Sequence, residues 1–253
     1  MNIVMLVGEG ESSKIAYNSL SKDFNIKMVI EDTSISKKTF LKRRVKKIGY
    51  LKVFGQILFM LYIKFMFKSS KNRINSIKKE HGLISDFYPK ELFKKVASIN
   101  NEKTIEILLK SKPDIIIVNG TRIISQKILN TINTAFVNIH AGITPAYRGV
   151  HGGYWAIANN DANNFGVTLH YIDKGIDTGS IIAQDIIKIN DNDNFVTYPL
   201  IQLSHGLILL KKFLSNFSRD NVTKRNKYKT PSHQYYHPTL WFYLYKFFTK
   251  NIK

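Results

Sequence analysis

The chain contains no cysteine among its 253 residues. That absence excludes disulfide bonds, a thiolate nucleophile and a cysteine-ligated metal, and it suits a cytoplasmic protein. Acidic residues are scarce, with 18 Asp and Glu against 38 Lys and Arg, a net charge of +20. A surplus of that size attracts polyanions: nucleotides, RNA or acidic lipid. No apolar run reaches the roughly 20 residues of a spanning helix. The longest candidate, around Gln56–Ile63, is interrupted by Lys52, Gln56 and Lys64, so a transmembrane segment is rejected. A secretory leader is not expected, because the apolar run Ile3–Val7 is short and Gly8-Glu9-Gly10-Glu11 follows at once. No internal repeat is evident, and no arginine-aromatic alternation offers stacking platforms, which makes nucleic acid the weaker partner.

What is present reads as an open, mostly parallel, Rossmann-like α/β sheet flanked by helices. A strand at Ile3–Val7 leads to a helix from about Ser13 to Leu20 and a strand at Phe24–Ile30. The pattern resumes with a helix from Glu102 to Leu109. The continuous apolar run Asp114–Val118 follows and suits a central strand covered on both faces. A helix near Ser125–Asn130 then delivers the strand Phe136–His140. Gly8-Glu9-Gly10 imitates the start of a dinucleotide fingerprint, with Glu31 and Asp32 near the acidic position. The third glycine is missing and glutamates flank Gly10, so a tight turn is the better reading than a nicotinamide site.

Within Phe136–His140 the faces alternate, so Asn138 and His140 share one and Val137 and Ile139 the other. The amide and imidazole then stand roughly 7 Å apart along the strand. Together they can donate to an oxyanion developing at a carbonyl. Asp177 follows a second strand-like run, Phe165–Ile172, in a glycine-flanked loop able to fold it back against His140. Taken singly, such residues are more often satisfied strand-end or turn residues. Their order, with Tyr147-Arg148-Gly149 between them, carries the active-site reading.

At these residues the chain resembles the formyltransferases that use 10-formyltetrahydrofolate. Asn138-Ile139-His140 matches that family's Asn-x-His, Asp173-Lys174-Gly175-Ile176-Asp177-Thr178-Gly179 its Asp-x-Gly-x-Asp-Thr-Gly, and Thr144-Pro145-Ala146-Tyr147-Arg148-Gly149 its Leu-Pro-x-Tyr-Arg-Gly. The match spans about residues 113–184, and Ala141-Gly142 departs from the commoner Gly-Ser or Pro-Ser. The resemblance implies Asn138, His140 and Asp177 as the catalytic group and 10-formyltetrahydrofolate as cosubstrate, with no metal. An amine would attack the formyl carbon, Asn138 and His140 would hold the oxyanion, and Asp177 would orient His140 and help move the proton. It further implies pteridine contacts at Val118, Asn119, Gly120 and Asp173, and acceptor contacts at Tyr147, Arg148 and Gly149. His170 is expected to face either the site or the core, and Arg148 either positions a phosphate or braces its loop.

A catalytic domain is expected over residues 1–190, with a basic helical insertion at about 36–90. Residues 191–253 are expected to add a helix from Tyr198 to Phe217 and an aromatic, basic tail. Inside the insertion a cationic helix from Lys37 precedes an apolar one. Phe54, Leu58 and Leu61 read there as a core-packing stripe, with an interfacial helix on the inner face of a membrane as the alternative. Further basic clusters lie at Lys224-Arg225-Asn226-Lys227 and at the C-terminus. The tail Trp241–Phe248 would close a cleft, form a homodimer face or rest on lipid. It is too short for the β-barrel expected of a methionyl-tRNA enzyme, while Tyr147-Arg148-Gly149 and the insertion speak against a glycinamide ribonucleotide enzyme. A nucleotide-linked amino sugar, formylated for a surface polysaccharide such as lipopolysaccharide, is the acceptor left by elimination. The alternatives are a lipid-linked acceptor, transfer of a different one-carbon unit, and a non-catalytic surface protein on this fold.

Overall fold

The computed structural model describes residues 1–33, 36–86, 89–218 and 231–253. The cluster at Lys224–Lys227 therefore lies outside the described residues. The elements run β1 (Ile3–Gly8), α1 (Glu11–Leu20), β2 (Ile26–Asp32), α2 (Lys37–Ile48), α3 (Tyr50–Ser69), α4 (Lys71–Glu80), β3 (Phe93–Val96), α5 (Glu102–Ser111), β4 (Ile115–Asn119) and α6 (Gln126–Thr131). They continue with β5 (Ala135–His140), β6 (Tyr147–Gly149), α7 (Gly152–Ala158), β7 (Gly166–Tyr171), β8 (Ile181–Ile186), α8 (Tyr198–Ser215), β9 (His233–Tyr235) and α9 (Leu240–Lys250).

Seven strands form one sheet in the order β3-β2-β1-β4-β5-β7-β8. The first five in that order are parallel, and β7 and β8 each run antiparallel to their inner neighbour. The reason is visible in β1 and β4, which are buried throughout. Ile3, Met5 and Val7 point into one hydrophobic layer and Val4 and Leu6 into the other. Strands with no polar face must be covered on both sides, and helices joined by crossovers do that. The helices have their own start signals: the side chains of Ser36, Asn101 and Ser125 each accept a hydrogen bond from a first-turn amide, worth about 1 kcal/mol apiece.

The βα turn at Gly8-Glu9-Gly10 is a tight turn whose acidic groups are paired, Glu9 with Lys95 and Glu11 with Lys78. A pyrophosphate would meet two carboxylates there.

Two expectations for the insertion need correction. α3 is one continuous helix of 20 residues, long and apolar enough by length and composition to cross a membrane. The interrupting Lys and Gln are helix-compatible, so they do not shorten it. Nor is Phe54-Leu58-Leu61 its core stripe, since Phe54 and Leu61 are exposed. The buried side is Val53, Gln56, Phe59 and Met66, about half a turn away. Spacing established that stripes exist but not which one meets the sheet.

Candidate active site

The site sits where β4 and β5 end, at the carboxyl edge of the parallel strands, as open α/β sheets require. A cleft of about 700 Å³ opens there between the loop after β4 and the loop after β7. Val137 belongs to the core layer under α8, and Ile139 packs against it. Asn138 and His140 therefore turn to the opposite face, and both line the cleft.

His140 is 6% exposed. Its Nε2–H donates to the Tyr147 carbonyl oxygen at 2.7 Å, and its Nδ1 faces Asp177 Oδ2 at 3.4 Å. Burial pushes the His140 pKa down, opposed by the Asp177 carboxylate and the Tyr147 carbonyl, which both favour a protonated ring. Gly142 makes this approach feasible: a Cβ there would lie 2.5 Å from the Tyr147 carbonyl oxygen and 2.8 Å from His140 Nε2.

Asp177 stands at φ 51°, the left-handed region that loop aspartates tolerate. Burial raises its pKa, but His170, His140 and the Gly149 N–H more than offset that and bring it down to about 2. The Gly149 amide donates to Oδ2 at 2.9 Å, and His170 Nε2 lies 3.6 Å from Oδ1. Gly149 has φ 96° and sits under the β9 backbone, where a Cβ would come within 2.3 Å of the Tyr235 carbonyl. Only glycine fits, and its N–H is thereby aimed at the carboxylate.

His170 faces the site rather than the core. Its Nδ1–H donates to the Tyr171 carbonyl at 2.8 Å, and its Nε2 stands 3.2 Å from Asn138 Nδ2 and 3.6 Å from Asp177 Oδ1. His170 engages at most one N–H of the Asn138 amide, and among the described residues the other meets no partner and can serve a ligand in the cleft. One carboxylate lies between two imidazoles, with an oriented amide beside them.

Of the expected pteridine contacts, Val118, Gly120 and Asp173 line the cleft. Asn119 does not, because its buried side chain turns to Ser12 and Ser13. Among the expected acceptor contacts Gly149 lines the cleft. The Tyr147 ring is buried away from it, its hydroxyl donating to Asp161 at 2.7 Å. Arg148 braces loops: it donates to the Ile176 carbonyl and to Ser232, both at 2.8 Å. Among the described residues no group of three or more His, Asp or Glu is placed to hold a metal ion.

The cleft also contains groups that local pattern did not reveal. Phe40, Arg44 and Lys47 of α2 form one wall, and Gln234, Tyr235 and Tyr236 close it from the tail. Lys47 Nζ lies 5.2 Å from the Tyr236 ring centre. The tail reaches the cleft because β9 pairs with β6, a contact of three residues with no sequence signature.

Over 128 residues the chain is 40% identical to the bifunctional polymyxin resistance protein ArnA of Wigglesworthia glossinidia brevipalpis, covering 49% of this chain and 18% of that protein. It is 32% identical over 150 residues to the methionyl-tRNA formyltransferase of Kosmotoga olearia, covering 59% and 45%. The chain thus spans less than half the length of either relative. In fold it resembles a sugar N-formyltransferase from Shewanella sp FDAARGOS_354, with a TM-score of 0.53 at 16% identity over 90% of this chain and 74% of that one. The formyl transferase family pattern matches residues 66–199, which takes in β4, the Asn138/His140 strand and the Asp177 loop. With more than half its length so matched, the chain belongs to the formyl transferase family.

Proposed function

We propose that the protein transfers a formyl group from 10-formyltetrahydrofolate to the amine of a nucleotide-linked amino sugar in the cytoplasm, for a surface polysaccharide. The observation that carries the reaction is Asp177 between His140 and His170, with Asn138 on the same cleft floor. The residues present fit a folate: Val118 and Ile172 give the cleft an apolar lining beside Asp173 and the loop at Gly120. When bound there, the folate supplies an activated formyl carbonyl.

The side chains then have separate tasks. Asn138 uses its second N–H to stabilise charge developing on the carbonyl oxygen, a donor worth about two to three orders of magnitude in rate. As the acceptor nitrogen bonds to the formyl carbon and the bond from that carbon to the folate nitrogen breaks, one proton must pass from the amine to the leaving nitrogen; His140 can carry it at Nδ1 only by forming a charged pair with Asp177. The carboxylate, with its pKa near 2, stays ionised and supports that charge instead of holding the proton itself. His170 keeps Asn138 and Asp177 in register.

The α2 wall supports the acceptor class. Arg44 and Lys47 bring two cations to the cleft. Among the described residues the buried Arg44 Nη2 has no hydrogen-bond partner, which suits a phosphate-bearing substrate. Methionyl-tRNA is the second reading, favoured by the match to the Kosmotoga enzyme. The test is mass spectrometry of nucleotide-linked amino sugars and of methionyl-tRNA, each incubated with the protein, with and without 10-formyltetrahydrofolate. Folate-dependent gain of one formyl group on a sugar supports the proposal. Gain on the tRNA alone, or on nothing, overturns it.

A further inference from the structure

We propose that the outer face formed by α3 and α9 rests on an anionic lipid bilayer. The segments of the sequence that carry these helices are strongly basic. Residues 33–79 contain 14 Lys and Arg and no Asp or Glu, and residues 221–253 contain seven and none. The rest of the chain has 17 basic and 18 acidic residues, so the whole surplus belongs to the segments that include α2, α3, α4 and α9.

An apolar stripe accompanies the charge. Tyr50, Phe54, Ile57, Leu61 and Phe65 follow one another at helical spacing along α3, and all are exposed, Tyr50 at 81% and Phe65 at 72%. They cover about 22 Å of helix. Lys64 and Lys68 fall on the same side, and among the described residues neither they nor Lys52 pair with a carboxylate. Beside α3, Trp241 lies over Gly55 and begins a second stripe with Tyr245 and Phe248, the last 77% exposed. Only 28% of the most apolar 18-residue window of α3 is buried, so this is not a core helix.

A helix of this kind has few options. It cannot span a bilayer in this fold, because Val53, Phe59 and Met66 are buried in the protein interior. Exposed aromatics and aliphatics flanked by lysines match the headgroup boundary, where the rings enter the acyl edge and the ammonium groups meet lipid phosphate. A second copy of the chain would bring unpaired lysines against unpaired lysines. A soluble polyanion would use the lysines and leave the stripe wet. The inference is independent of the reaction proposed above.

Co-sedimentation of the full chain with vesicles tests it. The protein should pellet with phosphatidylcholine vesicles containing phosphatidylglycerol and stay in solution with phosphatidylcholine alone. Phe65→Glu with Phe248→Glu should weaken binding at least about tenfold, as should Lys64→Glu with Lys68→Glu, while melting temperature holds because all four side chains are exposed. Three results would overturn the proposal: no pelleting with phosphatidylglycerol, undiminished pelleting of the Phe variant, or a dimer in sedimentation velocity that the Phe variant dissolves.

Discussion

The cleft floor and the outer helical layer handle polarity in opposite ways. On the floor, His140, Asp177 and His170 are buried or nearly so, and each is bonded to a neighbour or to the backbone. In the layer, apolar side chains stand in solvent, and among the described residues Lys52, Lys64 and Lys68 pair with no carboxylate. Buried polar groups must be satisfied or they cost 1–3 kcal/mol each, so the floor tolerates few alternatives. Exposed side chains carry no such obligation, and what they do depends on what they meet.

The largest effects should come from the floor. Asn138→Ala, His140→Ala and Asp177→Asn should each lower kcat by about two to three orders of magnitude or more with circular dichroism unchanged. Near-normal turnover in His140→Ala would remove the proposed chemistry. The next effect contrasts two phenylalanines on one helix. Phe59 is fully buried among Phe195 and Tyr243, so Phe59→Ala should cost about 3–5 kcal/mol in urea unfolding. Phe65→Ala should change stability by less than about 0.5 kcal/mol; equal costs would mean that α3 is oriented differently.

Acid should sharpen the comparison within the interior. Burial holds His151 down to about 3 and His237 down to about 4. Both folded pKa values lie below the unfolded one, so the unfolded chain takes the protons first. Stability is then complete above about pH 6.5 and falls as pH drops toward 4, by up to about 3 kcal/mol per histidine. Asp177 adds a later loss, because its contribution is present above the ordinary carboxylate pKa and disappears only as pH approaches 2. Melting temperature measured from pH 7 to 4 should decline, and His237→Gln should flatten the decline. The smallest effect lies where the two regions meet. Arg44→Ala or Lys47→Ala should raise KM for a phosphorylated acceptor about tenfold with little change in kcat. A fall in kcat alone would make α2 a structural wall.

How much of this was legible follows from range. β1, β4 and their helices were readable because period and burial act within a few residues. Asn138 and His140 were readable as one face of one strand. The return of Asp177 was readable only as a loop with the means to turn. That His170 faces Asp177, that Gly149 presents an amide to it and that Arg148 serves the loop were not. Each depends on the register of β5 with β7 or of β6 with β9.

The sequence by itself determined the α/β alternation, the family motif and the concentration of basic charge, since all are properties of residue order. Only the tertiary structure decided which stripe of α3 faces the core, and that α2 and the tail wall the cleft. Helical period marks a stripe without saying which neighbour will cover it. Segments far apart in the chain come together only when burial of the whole core makes up for the entropy of closing the loops between them.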